Sequence, residues 1–507
     1  MMRTDTGNLG DVFVAHSNSD EIAVIDLRLP KKPKKISHRE LNNSVDALAR
    51  GLVKAGLKTG DRVGILSLNR IEYLEVLFGA MRAGCVPVMI NTKLPTDQVR
   101  YIAKDSEVQI VFCEASLRDL CARQTRCIVF GEDGENGYLD FKDAGAFESF
   151  VPSVQDIAEQ PYTSGSTGRP KGVLLHHVGQ RWMIDQLIKS REITSDDRGV
   201  VAAPLYHKNA LLAIKSALGA GGRVVLLARF DVEDYIRCIE EYGLTMLTGV
   251  PTMYALLLQQ GELLKNTDVS SVRALSLGSA PASEVLLDDL QDSFPKARIN
   301  LNYGITEGGP VLLSWKHAKG LEKPRTSVGY PLPDCKIRLV GGPSENEGIL
   351  HTKNPGVMIG YHNLPEETAK VFKKGWLNTG DILRRDADGW FYFVGRADDM
   401  FVTGGENIYP GDVETVLERH DQVMQAVVVP APNSLKAHVP HAFVVLRPES
   451  KLTEEELKQY ALQHAPAYAH PRRIFFIKEL PLAGTNKIDL KSLKERAAKA
   501  AKEDGTN

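Results

Sequence analysis

The sequence predicts an α/β protein with a large N-terminal body of mostly parallel sheets covered by helices, a small β-barrel-like part, and a small α+β domain at the C-terminus. Three observations lead there. Short apolar strands alternate with helix-periodic stretches through residues 61–113 and again through 222–278, which is the pattern of βαβ units. Those strands are apolar on both faces, as strands buried between helix layers must be. Past about residue 330 the texture changes to short strands broken by Gly, Pro and Asp, which points to antiparallel pairing.

Taken in order, DRVGILSLN (61–69) is a strand, and RIEYLEVLFGAMRAG after it has helical spacing. VPVMIN (87–92), a further helical stretch and VQIVFC (108–113) continue the alternation. It returns with GRVVLLA (222–228), a helix around Asp231–Glu241, LTMLTGV (244–250) and VRALSLG (272–278). CKIRLV (335–340) and WFYFVG (390–395) are the antiparallel candidates. From residue 411 onward GDVETVLERH reads as a helix, QAVVVPAP and HAFVVLRP as strands, and TEEELKQYALQHA as a second helix. Together they make an α+β unit of roughly 100 residues. The charged run LKSLKERAAKAAKED reads as a solvated terminal helix.

The chain has 507 residues, which at ordinary domain sizes means about three to four folding units or two large ones. Apolar residues make up 43% and charged residues 25%, globular values that exclude a disordered or collagenous chain. With 62 Lys+Arg against 64 Asp+Glu the net charge is −2, which argues against a protein built to grip nucleic acid or an anionic membrane. Six cysteines form no C-x-x-C pair, so the spacing suggests neither a disulfide framework nor a zinc site and suits a reducing compartment. The first residues lack the apolar core of a signal peptide, and no apolar run reaches bilayer length. A cytoplasmic monomer or homodimer is the expectation.

The most informative segment is Tyr162-Thr163-Ser164-Gly165-Ser166-Thr167-Gly168-Arg169-Pro170-Lys171-Gly172. Its glycines let backbone N–H groups approach phosphate oxygens, its hydroxyls add donors, and Lys171 adds a charge. It is not the common nucleotide-triphosphate loop, because Lys171 follows Pro170 rather than Gly. Nor does G-x-G-x-x-G follow a strand; the nearest candidate, Gly219-Ala220-Gly221, has Val224 at the third glycine position. A hydride-transferring dinucleotide fold is therefore disfavoured.

This loop resembles the phosphate loop of the AMP-forming adenylating enzymes, the superfamily of acyl-CoA synthetases, peptide-synthetase adenylation domains and beetle luciferases. Further blocks match in the same order: Asn302-Tyr303-Gly304-Ile305-Thr306-Glu307, Gly375-Trp376-Leu377-Asn378-Thr379-Gly380-Asp381, Gly395-Arg396-Ala397-Asp398-Asp399 leading into Gly404-Gly405-Glu406-Asn407-Ile408-Tyr409-Pro410, and Asn486-Lys487-Ile488. The resemblance runs over essentially the whole chain. It implies a carboxylic acid–CoA ligase that uses ATP, Mg²⁺ and CoA.

Carried over position by position, the resemblance gives Thr163, Ser164, Gly165, Ser166, Thr167, Gly168 and Lys171 to the ATP phosphates. Ser279, Ala280, Pro281, Asn302, Tyr303, Gly304 and Thr306 go to the nucleotide, and Asp381 with Arg396 to the ribose. Glu307 matches the acidic magnesium ligand, as suits a hard cation. Lys487 matches the lysine that bridges acyl carboxylate and phosphate, although Asn486 stands where Gly is usual and Leu490 where Arg often follows. Asp398 matches a hinge, dividing the chain into 1–397 and a mobile cap of 398–507. Gly404 and Gly405 match the walls of the CoA channel.

The acid itself falls to Pro204-Leu205-Tyr206-His207-Lys208-Asn209 and its neighbours. His207 resembles a gate between carboxylate and thiol, with a packed loop histidine as the bland alternative. Thr248, Gly249, Val250, Gly278, Gly304 and Ile305 complete the expected pocket. Lys208 and Asn209 place polarity where many fatty- or aryl-acid enzymes are apolar or small, so the expectation is a short or polar acid, for example a hydroxy or dicarboxylic acid. Two other functions stay open at this point. One is a stand-alone adenylation enzyme that loads a carrier protein, and the other a non-catalytic ATP- or AMP-binding relative. Against the second stands the presence of Lys171, Glu307, Asp381 and Lys487 together. The histidine pairs His176-His177 and His438/His441 lack a thiol or carboxylate cluster to complete a zinc site.

Overall fold

The structure is a computed structural model, which describes residues 6–122, 125–164, 169–482 and 488–503; the side chains of Ser164 and Asn407 are not described. The largest sheet has seven strands in the order 298–301, 274–277, 246–249, 198–201, 223–226, 22–26, 34–37. All its neighbours are parallel except the edge pair 22–26 and 34–37. A four-stranded parallel sheet is built from 86–89, 62–66, 108–113 and 126–129, in that order. The non-consecutive order of both sheets requires helical crossovers, which is why the strands read as continuous apolar runs.

Helix Ile71–Arg82 shows how tightly the body is packed, since every one of its residues except Glu72 is buried. Arg82 is among them, and donates to Asp11 at 2.9 Å and to Asp46 at 2.8 Å, so its buried charge is met by two carboxylates. A second four-stranded sheet holds the flanks of the expected phosphate loop: strand Pro170–His176 pairs with Ile157–Glu159, Tyr162–Ser164 and Gly360–Tyr361. The expected antiparallel part is a five-stranded sheet, Lys336–Ser344, Glu347–Lys353, Trp376–Arg385, Phe372–Lys373 and Phe391–Arg396.

A separate C-terminal domain follows. Its sheet runs 406–408, 401–403, 437–446, 423–433, with 473–476 added in parallel. Helices Pro410–Glu418 and Glu454–His464 pack on it through Val413, Leu417, Leu457 and Ala461. The terminal helix corrects the sequence reading. Leu490–Glu503 is not solvated all round, because Leu493, Ala497 and Ala501 are buried against Val427, Phe443 and Val445. A stripe of small and apolar residues at i, i+4 and i+8, hidden among lysines, is enough to dock a helix. Among the described residues no helix is long and apolar enough to cross a membrane.

Candidate active site

The sequence blocks converge where the body's sheets meet. Tyr162–Ser164 and Pro170–His176 are paired, with Thr163 opposite Lys171, so the two ends of the phosphate loop are fixed side by side. Loop residues Gly165, Ser166, Thr167 and Gly168 lie outside the described residues. Thr163 Oγ1 donates to Glu307 Oε1 at 3.1 Å, and Tyr361 Oη donates to the same oxygen at 3.1 Å. Lys171 Nζ donates to Glu367 Oε2 at 2.6 Å and lies 5.1 Å from the centre of the Tyr361 ring. Burial, and then the Glu307 carboxylate, push the Tyr361 hydroxyl well above its ordinary pKa, so it remains a donor.

Glu307 sits in a single 3₁₀ turn, Thr306–Gly308, directly after the extended Ile305. That turn needs glycine at Gly304, where a Cβ would lie 1.6 Å from the Pro310 carbonyl oxygen. Next to it, Tyr303 Oη donates to Asp381 Oδ2 at 2.9 Å, and both residues are buried. Arg396 Nε lies 3.7 Å from Asp381 Oδ1, across a strand pairing that sets Asp381 opposite Arg396. Asn302 has its amide committed: it donates to Ser276 and to the Leu277 carbonyl, and accepts from Arg191 and Trp315. Ser279, in the turn after strand Ala274–Leu277, has φ +69° and is exposed, while Ala280, half-buried, and Pro281, exposed, follow it.

The model of the AMP-binding enzyme matches residues 13–362, and that of the AMP-binding enzyme C-terminal domain matches 412–487. The chain belongs to the AMP-binding enzyme family, among its AMP-forming acyl-CoA synthetases. It is similar to a feruloyl-CoA synthase of Amycolatopsis, 33% identical over 89% of this chain and 92% of that one. A 2-succinylbenzoate–CoA ligase of Bacillus cereus is 31% identical over 91% and 93%. Among solved structures, ATP-bound MatB from Rhodopseudomonas palustris superposes with a TM-score of 0.86 at 27% identity, covering 97% of this chain and 98% of that one.

In this AMP-binding enzyme the residues expected to line an acid pocket divide. His207 stands at the N-cap of helix Lys208–Gly219, its ring 4.6 Å from that of Tyr206. Asn209 Nδ2 lies 3.8 Å from where a Cβ on Gly278 would sit, which places it beside the turn that carries Ser279. Thr248 Oγ1 is bonded to the Val200 carbonyl, Gly249 abuts the Tyr254 ring, and Val250 is buried at the start of the next helix. Ile305 packs against Val173, Leu175 and Met358.

Lys208 departs from expectation. Its side chain is buried and donates to Glu159, and to Gln180 at 2.9 Å, while Lys215 reaches the other Glu159 oxygen at 2.8 Å. Burial would raise the Glu159 carboxyl, but the two ammonium groups overcome it and hold it down at about 2. The Lys208 polarity noted in the sequence is therefore satisfied inside the body.

Gly404 and Gly405 form the two-residue turn between strands Phe401–Thr403 and Glu406–Ile408, with φ +59° and +95°. Tight hairpins of this kind require positive φ at both positions, which is a conformational reason for the pair. Asp398 is exposed in the turn joining the body to the C-terminal sheet, and its neighbour Asp399 pairs with Lys494 at 3.5 Å. Lys487 lies outside the described residues. Sequence reasoning missed Tyr361, Glu367 and Glu159. Glu159 and Tyr361 are brought in by strands that pair with Pro170–His176, and Glu367 by helix Pro365–Val371 after the strand Gly360–Tyr361; nothing in their local pattern marks them.

Proposed function

We propose that this enzyme activates a carboxylic acid in two steps. A carboxylate oxygen attacks the α-phosphorus of ATP, an O–P bond forms, and pyrophosphate leaves. The CoA thiolate then attacks the acyl carbon, a C–S bond forms, and AMP leaves with its electron pair. The observation that carries the reading is the meeting of Thr163, Lys171 and Glu307 beside the Tyr303–Asp381 pair, which gathers donors for phosphates and an acceptor for ribose hydroxyls in one place. Attack by one anion on another needs positioning and charge neutralisation above all.

In this reading the segment Thr163 to Gly168 and Lys171 hold the phosphates. Tyr303, Ser279, Ala280 and Pro281 frame the adenine, Asn302 braces that wall, and Asp381 with Arg396 takes the ribose. A Mg²⁺ ion fits the donor set at Glu307, whose carboxylate is already surrounded by hydroxyl oxygens and would be its ligand beside Thr306. When bound, that ion neutralises phosphate charge. Lys487 is the cation for the first step, His207 the gate, and Gly404 with Gly405 the channel for the pantetheine arm. The two steps use two placements of a cap, 398–507, turning about Asp398 against a body of 1–397.

For the acid, the support from Lys208 falls away and that from Asn209 remains. Its amide, beside Gly278, would meet a hydroxyl or second polar group, so we place the substrate among polar carboxylic acids. Relatives named for feruloyl and succinylbenzoate make aromatic polar acids part of the test. Pyrophosphate release is measured over short hydroxy acids, dicarboxylic acids and hydroxycinnamic acids, with and without CoA. A polar acid should give both pyrophosphate and thioester, and Asn209→Leu should shift preference toward its apolar counterpart. Pyrophosphate with no thioester on any acid would overturn the ligase reading, and an unchanged preference would overturn the role of Asn209.

A further inference from the structure

Three of the six cysteines meet in the body, outside the pairings just described. Cys113 ends strand Val108–Cys113, Cys127 lies on the adjacent strand Arg126–Val129, and Cys121 follows the 3₁₀ turn Ala115–Leu120. All three are buried, and their sulfur atoms lie within 4.8 Å of one another. Parallel pairing sets Cys113 beside Val129 and Cys127 beside Val111, so both thiols fall on the same face of the sheet. The turn then folds Cys121 onto that face. Among the described residues, no histidine or carboxylate joins the group.

We propose that Cys113, Cys121 and Cys127 form a three-sulfur site for a soft, thiophilic cation, Cu(I) being the ion whose chemistry fits. Thiolate sulfur selects soft ions over hard ones. A metal–sulfur bond of about 2.3 Å puts three trigonal ligands about 4 Å apart, so these sulfurs need less than an ångström of closure. Zinc prefers a fourth ligand, and the walls here are Val88, Val99, Ile102 and Val129. The Thr125 carbonyl accepts from Cys127 Sγ at 3.5 Å and is a polar neighbour of the thiols, but a fixed water in the fourth position needs about two to four such partners. Each thiol that binds gives its proton to solvent.

Plain core packing is the competing account, since free cysteine is a small apolar residue. Cys85, Cys238 and Cys335 show what that looks like: each is buried apart from the other thiols, Cys85 against the Lys58 carbonyl and Cys335 against Thr352. Tyr162, the residue that opens the phosphate loop, packs against the same apolar cluster as the three thiols. A bound ion would tie strand, turn and loop flank together.

The test is titration of the reduced full chain with Cu(I) against a chromogenic chelator. One equivalent should bind per chain with an ultraviolet thiolate-to-copper band. Cys121→Ser and Cys127→Ser should each lose it, and Cys238→Ser should keep it. Copper-edge X-ray absorption on the wild-type chain serves if either variant fails to fold, and should give three sulfur neighbours. Failure of the wild type to compete with the chelator, equal binding by Cys121→Ser and Cys127→Ser, or a nitrogen- or oxygen-containing shell would each overturn the site.

Discussion

Lys171 and Glu367 are 196 residues apart in sequence and joined by a 2.6 Å charge-assisted hydrogen bond. The lysine that ends the proposed phosphate loop is thus oriented by a carboxylate from helix Pro365–Val371, which also receives Lys370. Glu367 is held down to about 2 by its bonds to these two lysines, so it stays ionised across the working pH range. Replacing it with Gln keeps the shape and removes the charge.

We expect Glu367→Gln to raise KM for ATP by about tenfold, the effect of losing one charge-assisted bond that orients a ligand group. Lys171→Ala should raise it further, and the double variant no further than Lys171→Ala alone, because the two act as one unit. Steady-state kinetics on ATP decide it. A fall in KM for Glu367→Gln would show instead that the carboxylate competes with the nucleotide for Lys171.

Tyr303 and Asp381 yield a second prediction. The hydroxyl orients a buried carboxylate whose other oxygen faces Arg396. Tyr303→Phe keeps the aromatic wall and leaves that carboxylate short of a donor, at about 1–3 kcal/mol for a buried group. Discrimination between ATP and 2′-deoxy-ATP should weaken in Tyr303→Phe and largely vanish in Asp381→Asn. If Tyr303→Phe discriminates as the wild type does, the hydroxyl has no part in placing Asp381.

How legible all this was in the sequence depends on the range of the interaction. Strands such as Val108–Cys113 declare themselves by apolar content, and the blocks around Thr163, Tyr303 and Asp381 by the order of short motifs. Residues whose role arises from tertiary pairing do not. Lys208 reads as a polar pocket residue until Glu159, from a different strand, accounts for its charge. Cys113, Cys121 and Cys127 have no metal-site spacing, because the site is assembled by a parallel strand pair plus a turn rather than by one hairpin. The terminal helix hides its docking face because three small or apolar residues carry it among many charges.

The Lys208–Glu159–Lys215 cluster makes a third prediction. Glu159→Gln leaves two buried ammonium groups without a counter-charge, which typically costs about 3–5 kcal/mol. Replacing the whole group at once, by Glu159→Leu with Lys208→Met and Lys215→Met, should be neutral or stabilising by up to about 4 kcal/mol. Urea unfolding of the single and the triple variant checks this. Because the Glu159 pKa lies below its ordinary value, its contribution is complete above about pH 4.5 and is lost as pH falls toward about 2. A Glu159→Gln chain as stable as the wild type at pH 7 would show that the pairing adds nothing.

Helix Pro410–Glu418 of the C-terminal domain supplies the opposite sign. Glu414 and Glu418 accept hydrogen bonds from the Val428 and Ala426 N–H groups at 2.8 and 2.9 Å. Burial raises their carboxyls to about 7 and about 8, against the pull of those N–H groups. Around them stand Asp399 and Asp412, which add repulsion to Glu414; Glu414 in turn raises Glu418, and Ser283 of the body lowers it. A carboxyl whose folded pKa exceeds its unfolded value keeps its proton in the folded chain while the unfolded chain ionises. Stability is then greatest below about pH 4.5 and declines as pH rises through 7 and 8. The domain should accordingly unfold at lower urea at pH 8 than at pH 5.5, with the C-terminal domain followed by hydrogen exchange in the strand Val423–Asn433. Glu414→Gln with Glu418→Gln should flatten that slope, since the amide keeps an oxygen for the backbone N–H and has no proton to lose. An equal slope in the double variant would place the pH dependence elsewhere.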